Sequence, residues 1–194
     1  MIDESNGYDS IAEAYINGRG RAVNGIGSAV TRAWAQTFKP GSSILDLGCG
    51  TGIPVTKILL EAGLKAYAVD ASPKMVTSFQ QNFPNVTVAC ESVERSVFFD
   101  RTFDGIISIG MVFLLPGENQ QALIRKMAAA LNPGGKLLFT APFEKLAWED
   151  VMTAQLSRSL GAEQYRKLML DAGLSIGSTF EDEGGNHYFS GIKN

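Results

Sequence analysis

The stretch Ser43-Ile44-Leu45-Asp46-Leu47-Gly48-Cys49-Gly50-Thr51-Gly52, followed by Ile53-Pro54-Val55, constrains this chain more than any other. A short apolar run ends beside an acidic residue, and three glycines follow on alternate positions. Glycine turns the backbone tightly and lets a ligand approach where a Cβ would clash. Pro54 suits the first turn of a helix, where its missing N–H costs nothing. A strand, a glycine loop and a helix start in that order predict a nucleotide-type site at the carboxyl edge of a parallel sheet.

The segments around it support that frame. Tyr8, Ile11, Ala12 and Tyr15 recur at helical spacing and predict a short amphipathic helix over 8–17. Asn17-Gly18-Arg19-Gly20 breaks it, and Val23, Ile26, Val30, Trp34 and Phe38 predict a second helix before Lys39-Pro40-Gly41. From Ser43 onward, strands over 44–47, 66–69, 86–89, 105–109 and 136–140 alternate with helices. The helix before the fifth strand includes Leu131. Such alternation implies parallel pairing. The tail reads as a helix over 162–172, then strands over 174–180 and 187–192 joined by Glu183-Gly184-Gly185-Asn186, a hairpin turn. The expected fold is α/β, a Rossmann-like three-layer sandwich. Its seven-stranded, mostly parallel sheet is ordered 3-2-1-4-5-7-6 with the last strand antiparallel. One domain spans 1–194, with a helical cap over 1–40 and the core over 41–194.

Composition narrows the function. A net charge of −3 without a dense Lys/Arg run offers no footprint for nucleic acid. No apolar run approaches the roughly 20 residues of a membrane helix, and the acidic start Met1-Ile2-Asp3-Glu4 lacks a signal-peptide core. Cys49 and Cys90 read as reduced packing residues of a cytoplasmic protein. One histidine and no Cys/His cluster argue against a zinc site.

The glycine loop separates two nucleotide families. The dinucleotide fingerprint needs glycine at the first, third and sixth places. Counting from Gly48, the sixth place is Ile53 and the fifth is Gly52. The loop instead resembles motif I of the class I S-adenosylmethionine-dependent methyltransferases, in particular their small bacterial type-11/12-like members. The resemblance continues through Asp70, Cys90-Glu91-Ser92, Phe103-Asp104-Gly105 and Leu131-Asn132-Pro133-Gly134-Gly135, and includes Tyr8-Asp9-Ser10-Ile11-Ala12. It implies S-adenosylmethionine as cofactor and S-adenosylhomocysteine as product.

The resemblance assigns residues to that cofactor. Gly48 and Gly50 let the backbone approach its amino-acid tail, and Asp46 holds the loop and attracts the cationic side. Asp70 accepts from the ribose hydroxyls, a task suited to a carboxylate. Ala71 and Met75 flank the adenine, Glu91 and Ser92 meet its edge, and Ile109 adds to the wall. Tyr15 and Arg19 close over the tail. Structural roles stay open beside these: Asp46 as a cap on backbone amides, Tyr8 and Tyr15 as packing residues, Arg19 and Arg21 as solvated charges.

The acceptor is less legible. Ile109-Gly110-Met111-Val112-Phe113-Leu114-Leu115-Pro116 lacks the Asn/Asp-Pro-Pro-aromatic motif of enzymes that methylate amide or base nitrogens. Its apolar character points to a small-molecule acceptor, bound by a monomer or homodimer. If the sixth strand is parallel, Glu181, Asp182, Glu183, Asn186 and His187 rim the acceptor pocket. His187 is then the candidate acceptor-side base, with an ordinary packed histidine as the alternative. A protein that binds the cofactor or its product without chemistry remains the second reading.

Overall fold

The computed structural model describes residues 3–194 apart from 19, 21 and 23. In chain order its strands are β1 (Ser43–Leu47), β2 (Lys65–Asp70), β3 (Thr87–Cys90), β4 (Phe103–Ser108), β5 (Leu131–Thr140), β6 (Lys145–Glu149), β7 (Leu156–Leu160), β8 (Leu174–Glu181) and β9 (His187–Lys193). Seven form one sheet in the order β3-β2-β1-β4-β5-β9-β8, while β6 and β7 pair with each other. The first five are parallel, and β9 runs antiparallel to both β5 and β8. With the separate pair set aside, this is the order expected from the sequence.

Side chains alternate between the two faces of each strand. Leu45, Leu47, Ile106, Leu137, Phe139 and Phe189 join α5 (Gly117–Ala129) and α6 (Ala162–Asp171) on one face. Ile44, Ala66, Ile107, Leu138 and Tyr188 join α2 (Ser28–Ala35) and α3 (Val55–Glu61) on the other. On that second face Phe79 of α4 (Pro73–Asn82) packs on Ala68. Gly105 makes room for α2, since a Cβ there would stand 2.6 Å from Phe38 Cζ and 2.9 Å from Trp34 Cη2.

Three expectations need correction. The first helix, α1, covers only Ala12–Asn17. Residues 5–11 turn instead, because Asp3 Oδ1 accepts from Ser5 N and Oδ2 from Gly7 N, and Ser5 Oγ accepts from Asp9 N. The second helix starts at Ser28, after Gly27 in a left-handed conformation with φ 81°; Val23 lies outside the described residues. Leu131 belongs to β5, where the pairing with β4 shifts register between Phe103 and Gly105. The β6–β7 pair has no counterpart in the sequence reading.

A buried polar network ties the second half together. The Tyr165 hydroxyl donates to Gln120 Oε1 at 2.6 Å and accepts from Leu160 N. Gln120 Nε2 donates to the carbonyls of Leu115 and Arg158 at 2.8 and 2.9 Å. All these side-chain donors are satisfied, so the network fixes β7 against the loop after β4.

Candidate functional site

The carboxyl ends of β1, β2, β4 and β5 open into a cavity of about 570 Å³. Its volume falls in the range of small-molecule sites. One half is walled by Tyr15, Gly48, Gly50, Asp70, Ala71, Met75, Ser92 and Ile109. The other half is walled by Ile26, Met111, Phe113, Thr140, Met152 and Asn186. Four carboxylates, Glu4, Asp70, Glu94 and Asp150, stand among the described lining residues, and Glu4 is paired with Arg95.

Asp70 is the best-organised polar group of the wall. Its Oδ2 accepts from Gly50 N at 2.8 Å and its Oδ1 from Ser72 N at 2.9 Å. Each carboxylate oxygen has a second lone pair for a ligand. Burial pushes its carboxyl above the usual range, with the Ser72 and Gly50 amides pulling the other way. Ser72 caps α4, its Oγ accepting from Met75 N and donating to Asp9 Oδ1. The chain before α1 is thereby fastened to the end of β2.

The three loop glycines do different jobs, all at positive φ. A Cβ on Gly48 would lie 2.6 Å from Met111 Cβ and Cγ, and one on Gly52 would lie 2.5 Å from Phe83 Cε2. A Cβ on Gly50 would meet nothing nearer than Tyr15 Cε1 at 3.9 Å. Gly50 is therefore the position whose missing side chain leaves room for a ligand, whereas Gly48 is fixed by Met111. Gly48→Ala is expected to destabilise the fold by about 3 kcal/mol, from left-handed strain plus the clash. Thermal melting should show a midpoint lower by roughly 6–12 °C. Gly50→Ala should melt closer to wild type but bind ligand less well.

Asp46 does not reach the cavity. It is 2% exposed and its Oδ2 accepts from Thr56 Oγ1 at 2.7 Å, bracing the loop against α3. Burial, opposed by that hydrogen bond, pushes its carboxyl up to about 7. Glu91 also stands off the lining, while Ser92, Val93 and Glu94 after it line the wall. Arg19 lies outside the described residues.

The half walled by Ile26, Met111 and Asn186 is built from segments distant in sequence. The hairpin turn contributes Gly184 and Asn186. Asp182 shapes that turn, its Oδ1 accepting from Gly184 N, Asn186 N and Asn186 Nδ2, while its Oδ2 accepts from Tyr188 Oη at 2.8 Å. His187 is outside the lining: its Nε2 lies 3.6 Å from Glu181 Oε2 and its ring 5.6 Å from that of Phe143. Sequence reasoning missed the turn between β6 and β7, whose Asp150, Val151 and Met152 line the same half. Asp150 Oδ1 accepts from Met152 N and Thr153 N, and Trp148 packs on Phe113 at 5.4 Å between ring centroids. Neither Lys-Leu-Ala-Trp-Glu over 145–149 nor Leu-Ser-Arg-Ser-Leu over 156–160 alternates in polarity, so no local pattern marked the pair.

Among the described residues no group of His, Cys, Asp and Glu could hold a metal ion, and no helix is long and apolar enough to cross a membrane.

Comparison with known proteins bears on the same segments. A family model described as a methyltransferase domain matches residues 44–135. The cypemycin N-terminal methyltransferase of Streptomyces sp. is 38% identical over 108 residues, covering 53% of this chain and 44% of that protein. The carboxy-S-adenosyl-L-methionine synthase of Vibrio parahaemolyticus is 31% identical over 161 residues, covering 76% of this chain and 63% of that protein. This chain thus spans less than two thirds of the length of these curated relatives. The crystal structure of magnesium protoporphyrin IX methyltransferase from Synechocystis PCC 6803 with bound SAM superposes with a TM-score of 0.70 at 20% identity. That match covers 100% of this chain and 99% of the other, and shows a common fold.

Proposed function

We propose, from the premise that this chain carries a class I S-adenosylmethionine-dependent methyltransferase domain, that it binds S-adenosylmethionine and transfers its methyl group to a small molecule. The observation that carries the reading is Asp70, locked by two backbone amides at the cavity wall beside the open face of Gly50. There its free lone pairs would accept the ribose hydroxyls. Ala71 and Met75 would flank the adenine, Ser92 and Ile109 would border it, and Tyr15 would cover the tail.

The cofactor supplies a methyl carbon already activated by positive sulfur, so transfer is an in-line displacement by the acceptor's lone pair. What remains for the protein is to align the acceptor and exclude water, which lowers such barriers by roughly 7–11 kcal/mol in favourable cases. Met111, Phe113, Ile26 and Met152 would hold an apolar acceptor body, and Thr140 and Asn186 would orient its polar end. His187, outside the lining, is then a bystander to the reaction. We place the reaction in the cytoplasm, where Cys49 and Cys90, both free, stay reduced.

Relatives that align with three quarters of this chain are named for synthesis of a carboxylated derivative of the same cofactor. The matching family model and the relative at 38% identity are both named for methyl transfer, which favours that reading. The test incubates purified protein and S-adenosylmethionine with small amines, phenols and carboxylic acids in turn, and reads S-adenosylhomocysteine by mass spectrometry. Product above the acceptor-free rate with at least one class is expected. Cofactor binding without product from any class would reduce the chain to a binding protein.

A further inference from the structure

The β6–β7 pair has one closed edge and one open edge. Asp150 N donates to Gln155 O at 2.8 Å, and along an antiparallel ladder every second residue bonds to the same neighbour. Trp148 and Leu146 therefore turn their backbone groups to β7, while Lys145, Ala147 and Glu149 turn theirs outward. On β7 the outward groups belong to Arg158 and Leu160, and both residues are engaged. Gln120 Nε2 donates to Arg158 O at 2.9 Å, and Leu160 N donates to Tyr165 Oη at 3.2 Å. No further strand pairs along the outward row of β6. All five of its residues are exposed except Trp148, which is half-buried.

An open edge is a template for another strand, and proteins commonly blunt it. The main sheet does so: β3 is only four residues long, and β8 carries a register shift between Ile176 and Thr179. By contrast, β6 has five residues in unbroken register and no proline. Its sequence, Lys-Leu-Ala-Trp-Glu, is complementary to itself when a second copy runs antiparallel about Ala147. Each Lys145 then stands opposite the partner's Glu149, and each Leu146 opposite the partner's Trp148. A lysine on an edge ordinarily repels a second strand, but in this register its charge is matched. Opposite charges and aromatic pairs directly across a sheet are favourable. Leu146 is 39% exposed on the face where Trp148 packs on Phe113, and the partner's Trp148 would cover it.

We propose that β6 is a homodimer contact, at which two copies of this chain pair β6 to β6, antiparallel about Ala147. The two strand pairs become one four-stranded sheet, β7-β6-β6-β7, where a two-stranded sheet alone is marginal. The contact is the same patch on both copies, so it closes as a dimer and does not propagate into a filament. It is small, which places the dimer in the micromolar range. The proposal does not depend on which ligand the cavity takes.

Sedimentation equilibrium of the full chain, from about 1 to about 100 μM, tests it. The wild-type mass should climb with concentration from 20.8 kDa towards twice that value. Ala147→Pro removes the outward N–H at the axis and no bond to β7, so it should stay monomeric with a melting temperature near wild type. Lys145→Glu sets two carboxylates against each other at both ends of the contact and should weaken the dimer at least about tenfold. Adding Glu149→Lys to it restores opposite charges and should restore the dimer. A wild type that stays monomeric throughout overturns the proposal and leaves the edge to a different partner. So does a dimer that survives Ala147→Pro, or a double variant that remains as weak as Lys145→Glu alone. If Ala147→Pro melts well below wild type, the charge exchange decides by itself.

Discussion

Asp70→Ala abolishes measurable binding of S-adenosylhomocysteine at concentrations that saturate the wild type. The carboxylate is the joint at which three elements meet: it ends β2, holds Gly50 N of the glycine loop and holds Ser72 N at the entrance to α4. Truncation leaves both amides without their acceptor and removes the group offered to the ribose. Hydrogen bonds to a charged group contribute about 1.5–3 kcal/mol each. Losing two costs roughly 3–6 kcal/mol, a fall in affinity of at least about a hundredfold. Calorimetry reads the loss, and circular dichroism checks that the sheet is intact. Asp70→Asn sharpens the result, because its NH₂ must oppose one of the two backbone donors. It should bind nearly as poorly as the alanine variant. Affinity within tenfold of wild type in either variant would remove Asp70 from the site.

Asp46→Asn produces the second large effect, on stability and its pH dependence. The Asp46 carboxyl titrates near 3.8 when exposed and is pushed up to about 7 by burial in the folded chain. Between those values the folded state holds the proton and the unfolded state does not. Wild-type stability is therefore fullest below about pH 4 as far as this group is concerned, and falls as pH rises to about 7. The loss is about 1.4 kcal/mol per pH unit, on the order of 4 kcal/mol across the window. Asparagine has no proton to lose, and its carbonyl still accepts from Thr56 Oγ1, so the variant escapes the decline. Denaturant unfolding at pH 5 and pH 8 should show the variant gaining on wild type by about 3 kcal/mol between the two. Parallel profiles would mean that Asp46 is not a buried titrating group.

These two aspartates mark how far the sequence could be read. Both stand at strand ends by pattern, and the strand–helix alternation was legible because Ile44–Leu47 and the later apolar runs are buried on both faces of a parallel sheet. Pattern does not say where a side chain at a strand end points. Asp70 turns to the loop and the cavity, whereas Asp46 turns under the loop to Thr56. The loop glycines carried the same ambiguity: spacing identified them, but only packing shows that Gly48 yields to Met111 while Gly50 stays open. In the tail the hairpin was visible from its glycines, yet which residues face the cavity depends on the twist of the turn. Asn186 faces in, and His187 pairs across to Glu181 and packs by Phe143.

The parts that eluded the sequence share a physical reason. The turn between β6 and β7, Asp150 to Gln155, has no glycine or proline, so nothing local announces it. A two-stranded pair gains its stability from what it packs against, here Trp148 on Phe113. Residues 5–11 carry helical spacing, but Asp3 captures the backbone donors that a helix would use. Both segments close the cavity, and both are shaped by contacts across the chain rather than by propensity.

The central claim is that the cavity at the glycine loop takes S-adenosylmethionine. Its most direct test is parallel calorimetric titration of the wild-type chain with S-adenosylmethionine and with NADH. The account predicts saturable one-to-one binding of S-adenosylmethionine and no heat of binding from NADH; saturation by NADH with none by S-adenosylmethionine would contradict it.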